Sequence, residues 1–350
     1  MPGGNEYLLN NVVGEDLQKS LRPFDLVRKL LLVSKYRIRD KFITPHPRKY
    51  YVLSLVILLV FLYAYKDISY CMSYNWCLMI IYALHPVAYA TVIATAAYQS
   101  ESAVNLVTKM QELNKKLKVL GASVLPTYPR SAYMQLISGI ILDLEILYAA
   151  FIVDFLLSRL EAWTTVFVNA VRRPNINTLE SNDIGGNTTA LLMLKTVKGI
   201  LEAFSILEII SRCVILLHAA LIIVQSLFNA NTLIMLAKIE ITITQTFVLA
   251  LFIFLLSLTP VIALVLLSVN CERFDCSIEK VKKACVVILE DTSYEEKSTR
   301  RLAKNVLRLC NVRYSKMRAC GLFTIDAGLP LRMLNLITTY CIVLLQFAFL

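Results

Sequence analysis

The C-terminal stretch 333–350 is uncharged, and two of its polar side chains, with one valine between them, follow helical spacing. Thr339, Val343 and Gln346 stand at positions i, i+4 and i+7, so a helix would place them on one stripe. An amide oxygen such as that of Gln346 can replace part of the water around a cation, and Val343 with Phe347 can close a narrow passage by dewetting. Because one chain offers only one such helix, this chemistry requires several copies around a shared axis. The alternative is that Gln346 hydrogen-bonds to a neighbouring helix while Val343 and Phe347 simply pack.

A second group of polar and aromatic side chains interrupts apolar stretches nearer the N-terminus. Carboxylates within a membrane should face the interior of a helix bundle, and small ligands are commonly bound between helices. The candidates for such a ligand site are Tyr82, His85, Tyr89, Asp143, Glu145, Tyr148 and Asp154. The alternative is that these carboxylates pair with Lys238, Arg212 or backbone groups and hold the bundle together.

The sequence shows no pattern for catalysis or metal binding. The nine cysteines include no CxxC spacing, and His46, His85 and His218 are too far apart in the sequence for a paired zinc motif. The sequence also lacks a Walker loop and the HExxH and GxSxG patterns. We therefore expect no enzyme activity, no bound metal and no cofactor. Whether Cys71 and Cys77 form a disulfide at the outer end of the first two helices stays open.

The composition indicates which solvent surrounds these residues. The chain has 350 residues, of which 57% are hydrophobic and 17% charged, and its mean hydropathy is +0.62, whereas soluble domains carry about 25% charged residues. Apolar stretches that could cross a bilayer recur along the chain. The sequence predicts an all-α, polytopic membrane protein with seven transmembrane helices. The expected segments are a cytoplasmic region 1–49, six helices at about 50–65, 76–98, 133–157, 199–225, 229–249 and 250–269, a cytoplasmic helical anchor 270–320, and a seventh, pore-lining helix within 321–350.

The distribution of positive charge predicts the orientation of the chain. A net charge of +11 would suggest nucleic acid for a soluble protein, but most of the 36 Lys and Arg residues fall in 1–49, 99–132 and 270–320. Basic segments stay on the cytoplasmic side, so we expect all three there, with the N-terminus inside, the C-terminus outside and no nucleic-acid partner. Residues 158–198 would then form an outer loop, where the sequon at Asn187 could carry a glycan. A second alignment stays open, in which helices three and four share 133–172, about 200–228 is cytoplasmic, helix five starts near Asn229 and Asn187 lies inside.

Two motifs at the C-terminal end resemble the signature of insect gustatory receptors. They are the runs 319–326 (ACGLFTID) and 338–347 (TTYCIVLLQF), and in the second run five apolar residues separate TY from QF. The resemblance is specific over about 270–350 and is limited to architecture before that. It implies a ligand-gated, non-selective cation channel of four subunits, in which the seventh helix of each subunit lines the pore. The pore or gate residues would then be Thr339, Tyr340, Val343, Gln346 and Phe347.

The resemblance also implies a ligand, partners and a location. We expect a small-molecule tastant bound in the outer half of the bundle, together with permeating cations, membrane lipid, and further subunits in a homotetramer or a heteromer with related receptors. The expected location is the plasma membrane of sensory neurons. Sugar-detecting members have Glu directly after TY, where this chain has Cys341, so we expect a bitter-type or orphan receptor. Pro330 and Arg332 predict a local kink at the start of the last helix. A secondary transporter or a G-protein-coupled receptor with seven helices is the alternative, although the sequence contains no internal repeat and the expected N-terminus is inside.

Overall fold

The computed structural model describes residues 12–39, 42–71, 87, 89–121, 141–172, 183–238, 243–290 and 297–349. These residues are mostly helical, as expected for an all-α chain. The helices are α1 (Glu15–Leu30), α2 (Arg48–Cys71), α3 (Ser100–Val119), α4 (Ile141–Arg172), α5 (Asp183–Lys238), α6 (Ile243–Glu290), α7 (Lys297–Arg313) and α8 (Leu329–Phe349). Residues 89–98 are also helical and lead into α3 through a turn at Gln99. Two antiparallel hairpins pair β1 (Tyr36–Arg39) with β2 (Phe42–Pro45) and β3 (Arg318–Ala319) with β4 (Phe323–Thr324).

Helices α5 and α6 each have a charged half and an apolar half. With 56 residues at about 1.5 Å each, α5 is far longer than a bilayer core of about 30 Å requires. Its first half carries charged residues as far as Arg212, and the following stretch 213–237 carries none. In α6 the order is reversed, because 243–271 is uncharged and the charged residues follow. Each helix can therefore cross a membrane with one half and extend beyond it with the other.

The two helices run antiparallel, so that like halves meet. In the apolar halves, His218 Nε2 of α5 lies 3.1 Å from the carbonyl oxygen of Pro260 in α6. In the charged halves, the rings of Phe204 and Phe274 stack with their centroids 4.5 Å apart. Buried apolar side chains thus continue from one half to the other, which explains why the helices do not end where charge appears.

The charged halves of α5 and α6 join α3 and α7 in one group, which we call the charged layer. Glu202 of α5 accepts hydrogen bonds from Lys109 of α3 and, at 2.8 Å, from Arg313 of α7. The structure thereby brings together the basic segments 99–132 and 270–320, which the charge pattern predicts on the same side of the membrane. Such partly exposed ion pairs each contribute only about 0–1 kcal/mol, so apolar packing must supply most of the stability of this layer.

The observed helices differ from the predicted spans in their bounds. α4 continues past the end of the predicted span 133–157. α5 covers the predicted span 199–225 and part of 229–249, and α6 covers 250–269 and continues to Glu290. Most of the segment 99–132, predicted between two spans, is helix α3. The physical reason is visible in α3, whose buried residues Ala103, Leu106, Met110 and Leu113 recur every three or four positions. A polar segment with such a stripe stays helical outside the membrane.

The described residues of the predicted outer loop 158–198 are helical. Trp163 Nε1 of α4 donates a hydrogen bond of 3.1 Å to the carbonyl oxygen of Met193 in α5. Gly199 lies so close to α3 that an added Cβ would be 3.1 Å from Leu113 Cδ2. These contacts place residues 193–199 of α5 beside α4 and α3. In the second alignment helix five starts near Asn229, but α5 continues through residue 229 without a break. The side of the membrane on which Asn187 lies stays a prediction.

Two of the described helical segments are long and apolar enough to cross a membrane, Thr188–Ile234 in α5 and Leu329–Phe347 in α8. They differ strongly in burial. Within an 18-residue apolar stretch of each segment, 44% is buried in the first and only 11% in the second. The predicted second and third spans fall partly on 72–86 and 122–140, outside the described residues, as does Cys77. The number of seven spans therefore stays a prediction.

Candidate functional site

Helix α8 begins directly after the β3–β4 hairpin. The N–H of Leu329 donates to the carbonyl oxygen of Asp326 at 3.1 Å, and the Arg332 guanidinium pairs with the Asp326 carboxylate. Pro330 therefore lies in the first turn, where the missing N–H removes no helical hydrogen bond. The helix is unbroken from Leu329 to Phe349, which does not bear out the kink predicted from Pro330 and Arg332.

One face of α8 packs against helices α5 and α6 of the same chain. Leu329 and Met333 are buried, Ile337 packs against the core, and Cys341 and Leu344 are partly buried. These residues follow one another in steps of three or four, which is a single stripe of a helix. α8 therefore has one fixed orientation relative to α5 and α6.

The predicted pore stripe lies on the other side of α8. Thr339, Val343 and Gln346 are all exposed, and at about 100° per residue their mean direction is about 130° from that of the buried stripe. The flanking aromatic residues Tyr340 and Phe347 are 51% and 79% exposed. The structure thus brings the five predicted residues together on the exposed part of one helix. Nothing in the described part of the chain covers the stripe.

Asp143, a predicted ligand residue, lies where α4, α5 and α6 meet. Its Oδ1 is 3.4 Å from Nδ1 of His218, whose other ring nitrogen contacts the Pro260 carbonyl oxygen. Both side chains are buried. The partners expected from the sequence are Lys238, Arg212 or backbone groups. His218 is not among them, because a single His in an apolar run has no spacing signal.

A second polar group lies further along the apolar halves and was also missed. Gln225 Nε2 donates to Asn229 Oδ1 at 3.2 Å, and Asn229 Nδ2 donates to the Ser257 hydroxyl of α6. The spacing of Gln225 and Asn229, i and i+4 on one helix face, is a signal that could have found this group. It is further from the charged layer than the Asp143–His218 pair.

Glu145 is held by two basic residues of the N-terminal region. Its carboxylate lies 2.7 Å from the Arg28 guanidinium of α1, and Lys35 Nζ donates to it at 2.7 Å. The side chains of Arg28, Lys35 and Glu145 are only 1%, 2% and 3% exposed. Burial lowers the pKa of Lys35, and the neighbouring carboxylate acts in the opposite direction. Glu145 therefore holds the N-terminal region against α4, and its geometry does not support the predicted ligand role.

Two of the predicted tyrosines also contact the N-terminal region. The hydroxyl of Tyr148 is 3.1 Å from that of Tyr36, and the Arg28 guanidinium lies 3.7 Å from the centre of the Tyr148 ring. Tyr89 donates a hydrogen bond of 3.0 Å to the carbonyl oxygen of Leu31. Tyr148 therefore belongs to the same interface as Glu145, whereas Tyr89 joins the helical segment 89–98 to the N-terminal region.

The seven predicted ligand residues thus fall into different environments. Asp154 is partly buried on α4, and Tyr82 and His85 lie outside the described residues. A cleft of about 170 Å³ lies instead in the charged layer, between Lys109 and Lys116 of α3 and Lys195 and Lys198 of α5. Among the described residues, no group of three or more His, Cys, Asp or Glu side chains could hold a metal ion.

The comparisons with known proteins concern the C-terminal part of the chain. Residues 191–350 match the family model of the 7tm chemosensory receptors. This range includes most of α5 and all of α6, α7, the β3–β4 hairpin and α8. It therefore contains the exposed stripe but not Asp143 or the Glu145 cluster. No curated protein matches the chain.

Proposed function

We propose that this chain, whose residues 191–350 belong to the 7tm chemosensory receptor family, is a gustatory receptor that acts as a ligand-gated, non-selective cation channel. The observation that carries the proposal is the exposed stripe of α8. Only 11% of an 18-residue apolar stretch of this helix is buried within its own chain. Lipid can cover its apolar sides, but polar groups facing lipid are costly and usually face protein or a water-filled cavity. The stripe with Gln346 therefore needs an occupant other than lipid.

Four copies of the chain around one axis would provide that occupant. Each α8 would turn Thr339, Val343 and Gln346 towards the axis and its buried stripe towards α5 and α6. Four Gln346 amides would then form a ring of oxygens around a partly hydrated cation, and Val343 with Phe347 would form the apolar constriction. A heteromer with related receptors would use the same arrangement.

The tastant would bind between helices on the side of the bundle away from the charged layer. Gln225, Asn229 and Ser257 are polar groups at that depth in the described part of the chain. An uncharged polar group suits a small, plant-derived bitter compound with few hydrogen-bonding atoms. We place the receptor in the plasma membrane of sensory neurons, with the charged layer in the cytoplasm.

The first prediction concerns the cation current of this channel. Cells that express the chain, alone or with a related receptor, should show a cation current when a panel of plant bitter compounds and sugars is applied. Gln346→Ala removes the amide ring and should change the relative permeability to Na⁺, K⁺ and Ca²⁺ at least about twofold, a difference of roughly 0.4 kcal/mol. The change is measured as a shift in reversal potential, which does not depend on expression level.

Leu334→Ala is the matched control, because Leu334 is 59% exposed on the same helix but lies off the stripe. It should leave the reversal potential unchanged. Identical reversal potentials for the unsubstituted chain and Gln346→Ala would remove Gln346 from the pore.

A further inference from the structure

Two exposed cysteines from different elements lie side by side near the base of α8. Cys213 of α5 and Cys320 of the β3–β4 turn have their Sγ atoms 3.7 Å apart. A disulfide bond is about 2.05 Å long, so the two sulfurs need to approach by less than about 2 Å to form one. Cys320 and Gly321 have φ values of 49° and 78°, the left-handed conformation of a tight turn. The turn thus holds Cys320 against α5 without a regular strand or helix around it.

Three other cysteines of the described part of the chain are not accessible in this way. Cys271, Cys285 and Cys310 are buried, and burial raises the pKa of Cys285 to about 12 and that of Cys310 to about 11. Such thiols react slowly because the thiolate is the reactive form. Cys213 and Cys320 are instead exposed and already in contact, and the pKa of Cys320 is raised by partial burial and by its contact with Cys213.

The surroundings of the pair place it at the border of the charged layer. Cys213 directly follows Arg212, the last charged residue before the apolar half of α5. The backbone N–H of Arg318 donates to Oε1 of Glu208 at 3.2 Å, which holds the hairpin on α5. The charged layer corresponds to the predicted cytoplasmic side, where thiols are kept reduced and disulfides are transient and regulatory.

We propose that Cys213 and Cys320 form a reversible disulfide with glutathione disulfide as the oxidant. One cysteine thiolate attacks a sulfur of glutathione disulfide, which releases one glutathione and leaves a mixed disulfide on the protein. The second thiolate attacks the protein sulfur of this mixed disulfide and releases the second glutathione. Two protein thiols are oxidised, one glutathione disulfide is reduced to two glutathiones, and the thiol protons end on these two products. Excess glutathione reverses both steps.

The bond would tie the link between α7 and α8 to α5. The β3–β4 hairpin is that link, and α8 starts nine residues after Cys320, at Leu329. Once tied, the base of α8 cannot shift along α5. Since this consequence rests on the proposed channel function, we expect oxidation to lower the ligand-evoked current to less than about half, through restriction of a gating movement.

The chemistry can be tested without any current. The full-length protein in membranes is equilibrated in glutathione buffers of increasing oxidised fraction, alkylated, digested without reduction and analysed by mass spectrometry. We expect one linked peptide pair that contains Cys213 and Cys320, lost after addition of glutathione and unchanged in Cys276→Ser, which removes another exposed thiol. Full alkylation of both thiols in the most oxidising buffer would overturn the proposal.

The effect on the channel is tested in excised patches with the same buffers on the cytoplasmic face. The current should fall on oxidation and recover on reduction, and both Cys213→Ser and Cys320→Ala should abolish this response while they leave the current in reducing buffer unchanged. A linked peptide without any change in current would overturn the gating role and leave the channel proposal intact. Absence of current under every condition would count against the channel proposal, while the peptide analysis would still decide on the disulfide.

Discussion

Glu145→Gln is expected to lower the free energy of unfolding by about 3–5 kcal/mol, the range found when one partner of a buried ion pair is removed. Arg28 and Lys35 both face this carboxylate at 2.7 Å, and their side chains are 1% and 2% exposed. Without the negative charge, two cations remain buried next to each other with no counter-ion. The N-terminal region should then separate from α4. The contact between the Tyr148 and Tyr36 hydroxyls lies in the same interface and should be lost with it.

The change is measured as the thermal unfolding midpoint of the detergent-solubilised protein and as the amount of protein at the cell surface. Glu161→Gln serves as the control, since Glu161 is an exposed carboxylate on the same helix and should shift the midpoint little. The triple replacement Arg28→Met, Lys35→Met and Glu145→Leu removes all three charges and should restore most of the loss. Equal midpoints for Glu145→Gln and Glu161→Gln would show that the buried cluster does not hold this interface.

If the proposed channel is correct, Val343→Ser should open it without ligand and raise the basal current several-fold. An apolar constriction closes because water leaves a narrow apolar passage, and four hydroxyl groups at one level would keep water in place. Val343 is 38% exposed within its chain, so the substitution removes little packing and should change stability by less than about 0.5 kcal/mol.

The basal current is recorded without ligand and is compared at equal surface expression. Leu334→Ser introduces the same hydroxyl on the same helix, but Leu334 lies off the stripe and should not raise the basal current. An increase of the same size in both variants would point to general loosening of α8. No increase in Val343→Ser would place the apolar gate elsewhere.

The exposed stripe of α8 could be predicted because its information is local. Thr339, Val343 and Gln346 are close in sequence, and helical spacing alone puts them on one face. Their exposure, and the separate buried stripe that includes Met333 and Ile337, follow from the same periodicity. A single chain is sufficient to see which face remains uncovered.

The Glu145 cluster could not be predicted in this way. Its partners Arg28 and Lys35 are more than one hundred residues away in sequence, and Lys35 forms its bond at a separation of 110 residues. Such pairs carry no periodic signal. The carboxylate therefore looked like a group free to bind a ligand, whereas the fold uses it to attach the N-terminal region.

The helices extend beyond the predicted spans for a third reason. The spans predicted at 199–225 and 250–269 take their limits from the length of a bilayer crossing, which carries no information on where a helix ends. α5 and α6 instead continue as packed helices in the charged layer, with Phe204 on Phe274. Residues 158–172 and 183–198 of the predicted outer loop belong to α4 and α5, and their side of the membrane stays a prediction.

The most direct test of the pore asks whether the α8 stripes of different chains face each other. Val343→Cys and Gln346→Cys are oxidised in native membranes, and the products are separated on non-reducing gels. Convergence of α8 around one axis predicts covalent dimers for at least one of the two variants, and monomers for the unsubstituted chain and for Leu344→Cys, whose side chain faces its own chain. Monomers for both Val343→Cys and Gln346→Cys, or equal dimer formation by Leu344→Cys, would contradict a shared pore lined by this stripe.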